Sequence, residues 1–208
     1  MRQFWDISQR VDGKTRPFPG DTPLGIHWDA RTERGDVANV STLQLSPHLG
    51  THIDAPLHLF STGHDVSELS LEALLGPCEV WDLSLSAATR VITASSLTPF
   101  PLSPRVLIKT QSEPTNGWRP QYRPLGVEAV LYLANHGVRL IGVDTPGVDP
   151  SDSVTLDAHH CALSNGMILL ENLDLSRVSS GAYTLVALPL SIVGLEASPV
   201  RAILYKEK

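Results

Sequence analysis

The sequence contains little of what several protein classes require. Only two of its 208 residues are cysteines, too few for a disulfide framework or a paired-cysteine zinc site. Its 16 Lys and Arg residues are scattered and the formal net charge is -6, which argues against nucleic acid, because phosphate binding needs clustered cations. The longest apolar-rich stretch, residues 183–195, falls short of the roughly 18 residues that span a bilayer. We therefore expect no nucleic-acid or membrane partner.

The beginning of the chain and its composition indicate a soluble globular protein. Arg2 and Asp6 flank Phe4 and Trp5, so the apolar core of a signal peptide is missing and we expect a cytoplasmic protein. Hydrophobic residues make up 42% of the chain and charged residues 18%, which is typical of a globular protein with a full core. The length fits a single domain over residues 1–208. Cys78 is expected to be a buried, inert thiol.

Sixteen prolines and fifteen glycines divide the chain into many short elements. Apolar runs and alternation predict strands at residues 4–7, 37–45, 78–83, 106–109, 139–143, 167–170, 183–188 and 201–205. Helical spacing predicts helices over residues 65–75, 126–136 and 156–164, the first of them ending at Gly76-Pro77. Residues 16–23 contain three prolines and are predicted to be a loop. Many strands with two or three helices favour an α/β or α+β fold.

The strongest chemical pattern is a cluster of histidines and one aspartate at even positions, namely His48, His52, Asp54 and His58. In an extended chain this parity places the side chains on one face, but a straight strand would separate the first and last by about 33 Å. The chain must therefore bend, and Gly50 and Pro56 are where it can. Imidazole together with carboxylate suits zinc, although manganese or iron accepts the same ligands.

The run His48–His58 resembles the signature of the metal-dependent cyclase-like hydrolases, and within them the chain most resembles the bacterial kynurenine formamidases (arylformamidases). Similar blocks occur almost end to end, at residues 4–8, 19–23, 142–146, 158–160, 170–173, 187–190 and 198–202. The resemblance implies an α/β fold with mixed sheets and a few helices, the cyclase-like swivelling β/β/α domain. It also implies two zinc ions per subunit and a homodimer, with the site near the interface.

By motif position, the resemblance implies that His48, His52 and Asp54 hold the first zinc and that Asp54 bridges to the second. His58 is reserved in this family for acid–base chemistry, which a histidine beside activated water can perform near neutral pH. A role for His58 as a further metal ligand is the alternative, because it shares the parity of the others.

The remaining family ligands are a histidine and a glutamate twelve residues apart. His159 and Glu171 have this spacing, whereas the residue twelve after His160 is Asn172, so we favour His159 and place His160 outside the ligand set. Glu171 follows an apolar strand, where a buried carboxylate needs a partner such as a metal. The alternative is that Glu171 simply ends the strand at the surface.

The reaction implied by the resemblance is hydrolysis of N-formyl-L-kynurenine to L-kynurenine and formate, in tryptophan degradation by the kynurenine pathway. Hydroxide generated at the metals would attack the formyl carbon, and His58 would protonate the departing amine. Two residues depart from the family pattern. Phe18 stands where a substrate-stacking Trp is usual and keeps an aromatic face for the substrate, with loop packing as the alternative. Gly147 stands where Ser is expected, which removes one polar contact.

Competing functions remain. The sequence contains no Gly-x-Ser-x-Gly elbow, which argues against a serine hydrolase. Another cyclase-like metal hydrolase, opening a cyclic amide such as isatin, would share the histidine signature. A non-catalytic metal-binding protein is the third alternative. The other histidines, His27, His64 and His136, are expected to be structural or solvated.

Overall fold

The computed structural model describes residues 2–85, 90–111 and 113–207. Within these ranges the chain forms eleven strands: β1 (Arg2–Asp6), β2 (Gly25–Ala30), β3 (Val40–Gln44), β4 (His52–Asp54), β5 (Leu75–Asp82), β6 (Arg105–Lys109), β7 (Leu140–Val143), β8 (Ile168–Glu171), β9 (Gly181–Val186), β10 (Ala197–Pro199) and β11 (Ile203–Glu207). The α-helices are α1 (Leu71–Leu74), α2 (Ala94–Leu97), α3 (Val127–Asn135) and α4 (Asp157–Ser164). Single turns of 3-10 helix lie at Thr32–Arg34, Pro56–His58 and Val66–Glu68.

Nine strands form one mixed sheet in the order β1-β11-β9-β5-β6-β7-β8-β4-β10, and β2 and β3 form a separate two-stranded sheet. The central strands β5 to β8 are parallel, and α3 and α4 supply the crossovers on either side of β7, as parallel pairing requires. Along β6, Val106 and Ile108 pack with the two helices while Leu107 packs into a second core on the opposite face. Burial on both faces explains the continuous apolar runs of these strands.

The predicted helix over residues 65–75 is wrong over most of its length. Asp65 caps a single 3-10 turn with a capping box, the backbone at Leu69 and Ser70 is extended, and α1 covers only four residues. Gly76 and Pro77 do not stop a helix; they lie inside β5. Pro77 is tolerated there because the described pairing of β5 with β6 begins only at Glu79, so its missing N–H removes no bond to that neighbour.

The remaining long elements agree with the prediction within a few residues. Three short strands, β2, β4 and β10, were not predicted, because three to six residues with polar or metal-binding side chains show no clear alternation. Cys78 is buried, as expected, and burial raises the pKa of its thiol. No helix in the described part of the chain has the length and apolar character to cross a membrane.

Candidate metal centre

The histidine cluster bends at the two residues that the sequence indicated. Gly50 has a positive φ of 74°, and Pro56 begins the 3-10 turn that ends at His58. Between the bends, only His52–Asp54 is a strand. The alternation of β4 turns Ile53 into a hydrophobic core, while the side chains of His52 and Asp54 point to the opposite face.

The register of the sheet brings Glu171 to this face. His52 pairs directly with Glu171 across β4 and β8, and His52 Nε2 lies 3.6 Å from Glu171 Oε2. His159, in the first turn of α4, completes the cluster, because its Nε2 lies 3.2 Å from Glu171 Oε1 and 3.6 Å from Asp54 Oδ2. The structure therefore brings together the five residues that the family resemblance implied as ligands: His48, His52, Asp54, His159 and Glu171.

Asp54 lies at the centre of the cluster and is 0% exposed. The Nδ1 of His48 and the Nε2 of His52 lie 3.1 and 3.4 Å from its Oδ1, yet neither carboxylate oxygen has a hydrogen-bond partner among the described residues. A buried charge without such partners is costly unless a cation compensates it. Three imidazoles around two buried carboxylates are a donor set that suits zinc, and also manganese or iron. These residues therefore fit a divalent metal.

Hydrogen bonds orient the rings of His159 and His52 through Nδ1, the nitrogen that faces away from the cluster. His159 Nδ1 lies 2.6 Å from Asp149 Oδ2, and Asp149 also accepts hydrogen bonds from the backbone N–H groups of Ala158 and His159. His52 Nδ1 lies 2.9 Å from the Gly50 carbonyl oxygen. When the ring is neutral, donation from Nδ1 leaves Nε2 as the nitrogen that binds metal. Sequence reasoning did not find Asp149, because its contact with His159 exists only after α4 has packed.

The histidines of the cluster also differ in their pKa values. Burial lowers the pKa of His52 to about 4, so its ring is neutral at pH 7, which is the form that binds metal. His48 is the opposite case: burial acts against the charge, but the neighbouring Asp54, Glu171 and Glu196 carboxylates raise its pKa to about 9. Without metal, His48 carries a proton, which a cation must displace in order to bind there.

His58 lies at the edge of the cluster. The centroid of its ring is 4.5 Å from that of His48 and 5.9 Å from that of His159. Burial, together with the positive charge on His48 and His159, lowers its pKa, so the ring is neutral near pH 7 and able to accept a proton. One group of metal-compatible atoms contains His58 with His48 and Asp54, and another contains His52, Asp54 and Glu171. The geometry thus accommodates His58 as a base or as a ligand.

The cluster forms part of the wall of a cavity of about 410 Å³. Phe18 and Trp118 line the same cavity and meet edge to face, with ring centroids 6.0 Å apart. Their two loops are joined by a β-bridge between Arg16 and Gly117, in which the Trp118 N–H donates to the Arg16 carbonyl oxygen. Gly117 has a φ of 74°, and a Cβ at this position would overlap the backbone of Arg16.

The other histidines do not line this cavity. His160 is exposed and packs against Phe60. His27 and His64 are exposed beside Asp29 and Glu68, respectively, and His136 follows α3, with its ring bonded to the Tyr132 carbonyl. Several cavity residues had no signal in the sequence, because they come from loops that only the fold brings together: Arg16, Trp118, Tyr122, Asp149 and Glu196.

Comparison with known proteins identifies the family and the fold of this chain. The family model for cyclases ("Putative cyclase") matches residues 5–150. The chain belongs to the cyclase family. A solved structure described as a potential metal-dependent hydrolase with cyclase activity is 26% identical, with a TM-score of 0.85 and coverage of 100% of both chains. A predicted metal-dependent hydrolase from Bacillus stearothermophilus has the same identity, TM-score and coverage.

Isatin hydrolase A from Labrenzia aggregata is 24% identical, with a TM-score of 0.85 over 100% of this chain and 94% of the other. This likeness shows the shared fold, and the expected cyclase-like α/β fold is confirmed. The cyclase-family chain falls in the class of the metal-dependent hydrolases. The narrower resemblance to the kynurenine formamidases stays a prediction.

We predict that Asp149→Ala weakens metal binding by about 10- to 100-fold, because His159 loses the partner that orients its ring. Metal content after titration with a chelator measures the effect. Asp152→Ala is the matched control, since Asp152 is an exposed carboxylate three residues further along. Equal metal affinity in the wild type and in Asp149→Ala would show that Asp149 does not support a metal ligand.

Proposed function

We propose that this cyclase-family protein hydrolyses N-formyl-L-kynurenine to L-kynurenine and formate in the kynurenine pathway. The observation that carries the proposal is one cavity in which the five candidate ligands, an aromatic pair and Arg16 meet. The ligands suit an amide hydrolase, the aromatic pair suits an aryl group, and the arginine suits a carboxylate. An N-formyl anilide with an amino-acid end has all three features.

The candidate ligands His48, His52, Asp54, His159 and Glu171 would hold two divalent metal ions, with zinc favoured by the donor set. Such ions supply Lewis-acid chemistry, which polarises a carbonyl group and lowers the pKa of water. His58 takes up the proton of the attacking water and returns it to the aryl amine nitrogen as the C–N bond breaks, which leaves formate and the free amine. Its depressed pKa keeps the ring ready to accept that proton.

Arg16 supports the choice of a substrate that carries a carboxylate. It is the one Lys or Arg among the described residues that line the cavity, and its guanidinium forms no ion pair with any of them. The proposed substrate offers a carboxylate that the guanidinium can bind through two parallel hydrogen bonds. Phe18 and Trp118, in the adjoining parts of the two loops, would contact the aryl ring.

Opening of isatin is the second candidate, because an isatin hydrolase shares the fold. Isatin carries no carboxylate, so Arg16, which has no ion pair among the described residues, favours the formamidase. The deciding experiment measures hydrolysis of both compounds with and without chelator. Formyl-kynurenine activity that chelator abolishes is the expected result. Activity with isatin alone would contradict the proposal, and no activity with either compound at any metal load would favour a non-catalytic metal-binding protein.

His58→Ala is expected to retain bound metal but to lose turnover by about 10²- to 10⁴-fold, because the variant lacks the imidazole that transfers the proton. Metal content and kcat are measured on the same preparation. Loss of metal from the variant would identify His58 as a ligand and contradict its assignment as the acid–base residue.

Arg16→Gln is expected to raise KM for formyl-kynurenine by about 10-fold or more, since a charged hydrogen bond to the carboxylate is lost. The comparison substrate is N-(2-acetylphenyl)formamide, which keeps the formanilide but lacks the amino-acid end, and its KM is expected to stay unchanged. Arg10→Gln, an exposed arginine outside the cavity, is the control variant. An equal change in KM for both substrates would mean that Arg16 does not bind the amino-acid end.

We also propose that the protein is a homodimer. The separate sheet of β2 and β3 exposes a cross-strand apolar pair, Ile26 and Leu43, which are 53% and 63% accessible. A two-stranded sheet is marginal in water unless something packs on it. Sedimentation equilibrium is expected to give twice the mass of the chain, and Leu43→Lys is expected to shift the mass toward that of one chain. A monomeric wild type would contradict the proposal.

A further inference from the structure

Tyr122 contributes a polar group to the cavity for which the proposed chemistry has no role so far. Its ring is half-buried and lines the cavity together with Gly147. A Cβ placed on Gly147 would lie 3.2 Å from the Tyr122 hydroxyl oxygen. The same point lies 3.9 Å from Glu171 Oε2 and 3.9 Å from His159 Cε1. The hydroxyl therefore lies beside the candidate ligands and next to Gly147, which has no side chain.

The hydroxyl is available as a hydrogen-bond donor. Among the residues that the structure describes, no hydrogen bond involves the Tyr122 hydroxyl, and its oxygen is not fully buried, so a ligand in the cavity can reach it. Burial and the nearby Glu171 and Asp149 carboxylates raise the pKa of Tyr122, so the hydroxyl keeps its proton near neutral pH. A ligand that enters the cavity with an acceptor oxygen would satisfy it.

The surrounding loops hold this position firmly. Thr145 Oγ1 donates to the Gly147 carbonyl oxygen at 2.8 Å, which fixes the loop that follows β7. Ser151 Oγ donates to the Pro120 carbonyl oxygen at 2.7 Å, which ties the Tyr122 loop to the segment that leads to α4. A donor that is fixed before the substrate binds stabilises developing negative charge most effectively, because no reorganisation is needed during the reaction.

We propose that Tyr122 is a catalytic residue whose hydroxyl donates a hydrogen bond to the carbonyl oxygen of the substrate, in the space that Gly147 leaves open. The bond becomes stronger as the oxygen gains negative charge during attack on the carbonyl carbon. Tyr122 transfers no proton in this step. The inference rests on the proposed function only in requiring hydrolysis of a carbonyl substrate, and it applies equally to a formyl anilide and to isatin.

The experiment compares the metal-loaded wild type with Tyr122→Phe, on whichever of formyl-kynurenine and isatin the wild type hydrolyses. Loss of the donor is expected to lower kcat by about 100-fold, the usual effect of removing one such group, with KM nearly unchanged, because the bond matters mainly in the transition state. Metal content is expected to equal that of the wild type. Tyr205→Phe is the matched control, since Tyr205 lies in β11, outside the cavity.

A second variant tests whether a hydroxyl at this position is sufficient when another residue supplies it. Gly147 lacks a positive φ, so a serine is compatible with its backbone. In Tyr122→Phe/Gly147→Ser, the new hydroxyl enters the space that the Tyr122 oxygen left, and a partial recovery of kcat is expected. Wild-type kcat in Tyr122→Phe, a rise in KM with kcat intact, or no recovery in the double variant would each overturn the assignment.

The outcomes separate the two proposals. A wild type that hydrolyses isatin but not formyl-kynurenine contradicts the proposed substrate, and Tyr122 is then tested on isatin. A wild type that hydrolyses formyl-kynurenine with a Tyr122→Phe variant of equal kcat contradicts the role of Tyr122 alone. Hydrolysis of neither compound contradicts both.

Discussion

A carboxylate taken out of water determines the arrangement of this protein around its site. Asp54 has no exposed surface and no hydrogen-bond partner among the described residues, and burying an uncompensated charge costs several kcal/mol. β4, β8 and the first turn of α4 each contribute a group that faces it. Without a cation, His48 stays protonated because its pKa is raised, and it places a positive charge beside Asp54. The fold and the chemistry of the site therefore depend on the same compensation of one negative charge.

Part of this arrangement could be predicted from the sequence because it is local. The bends at Gly50 and Pro56 follow from the length of an extended chain, and their positions agree with the structure. The family resemblance, with its ligand spacing of twelve residues, favoured His159 over His160, and of these two it is His159 that faces the cluster. The burial of Glu171 followed from the apolar strand that precedes it. Roles for these residues remain proposals, but their proximity is an observation.

The other features of the site depend on contacts between segments that are distant in sequence, and the periodicity of the sequence does not predict such contacts. Asp149 reaches His159 only after α4 packs, and Tyr122 reaches Gly147 through two loops without regular structure. β4 is three residues long, too short for an alternation to be recognised, and its pairing with β8 decides which residue Glu171 meets. The prediction of a helix over residues 65–75 was wrong for a different reason. The apolar spacing of a helix is present there, but the extended backbone at Leu69 and Ser70 interrupts it.

The bridge between Arg16 and Gly117 has a consequence for how substrate preference can diverge among relatives of this chain. Four of the five candidate ligands belong to β4, β8 and α4 and the fifth, His48, to the turn before β4, whereas Phe18 and Trp118 belong to the two bridged loops. Because the bridge joins the two backbones and residue 117 has no room for a side chain, a shift of one loop would move the other or break the bridge. The two loops thus form a single structural unit. A graft that imports one loop alone would leave the metal centre intact and yet misplace both aromatic rings.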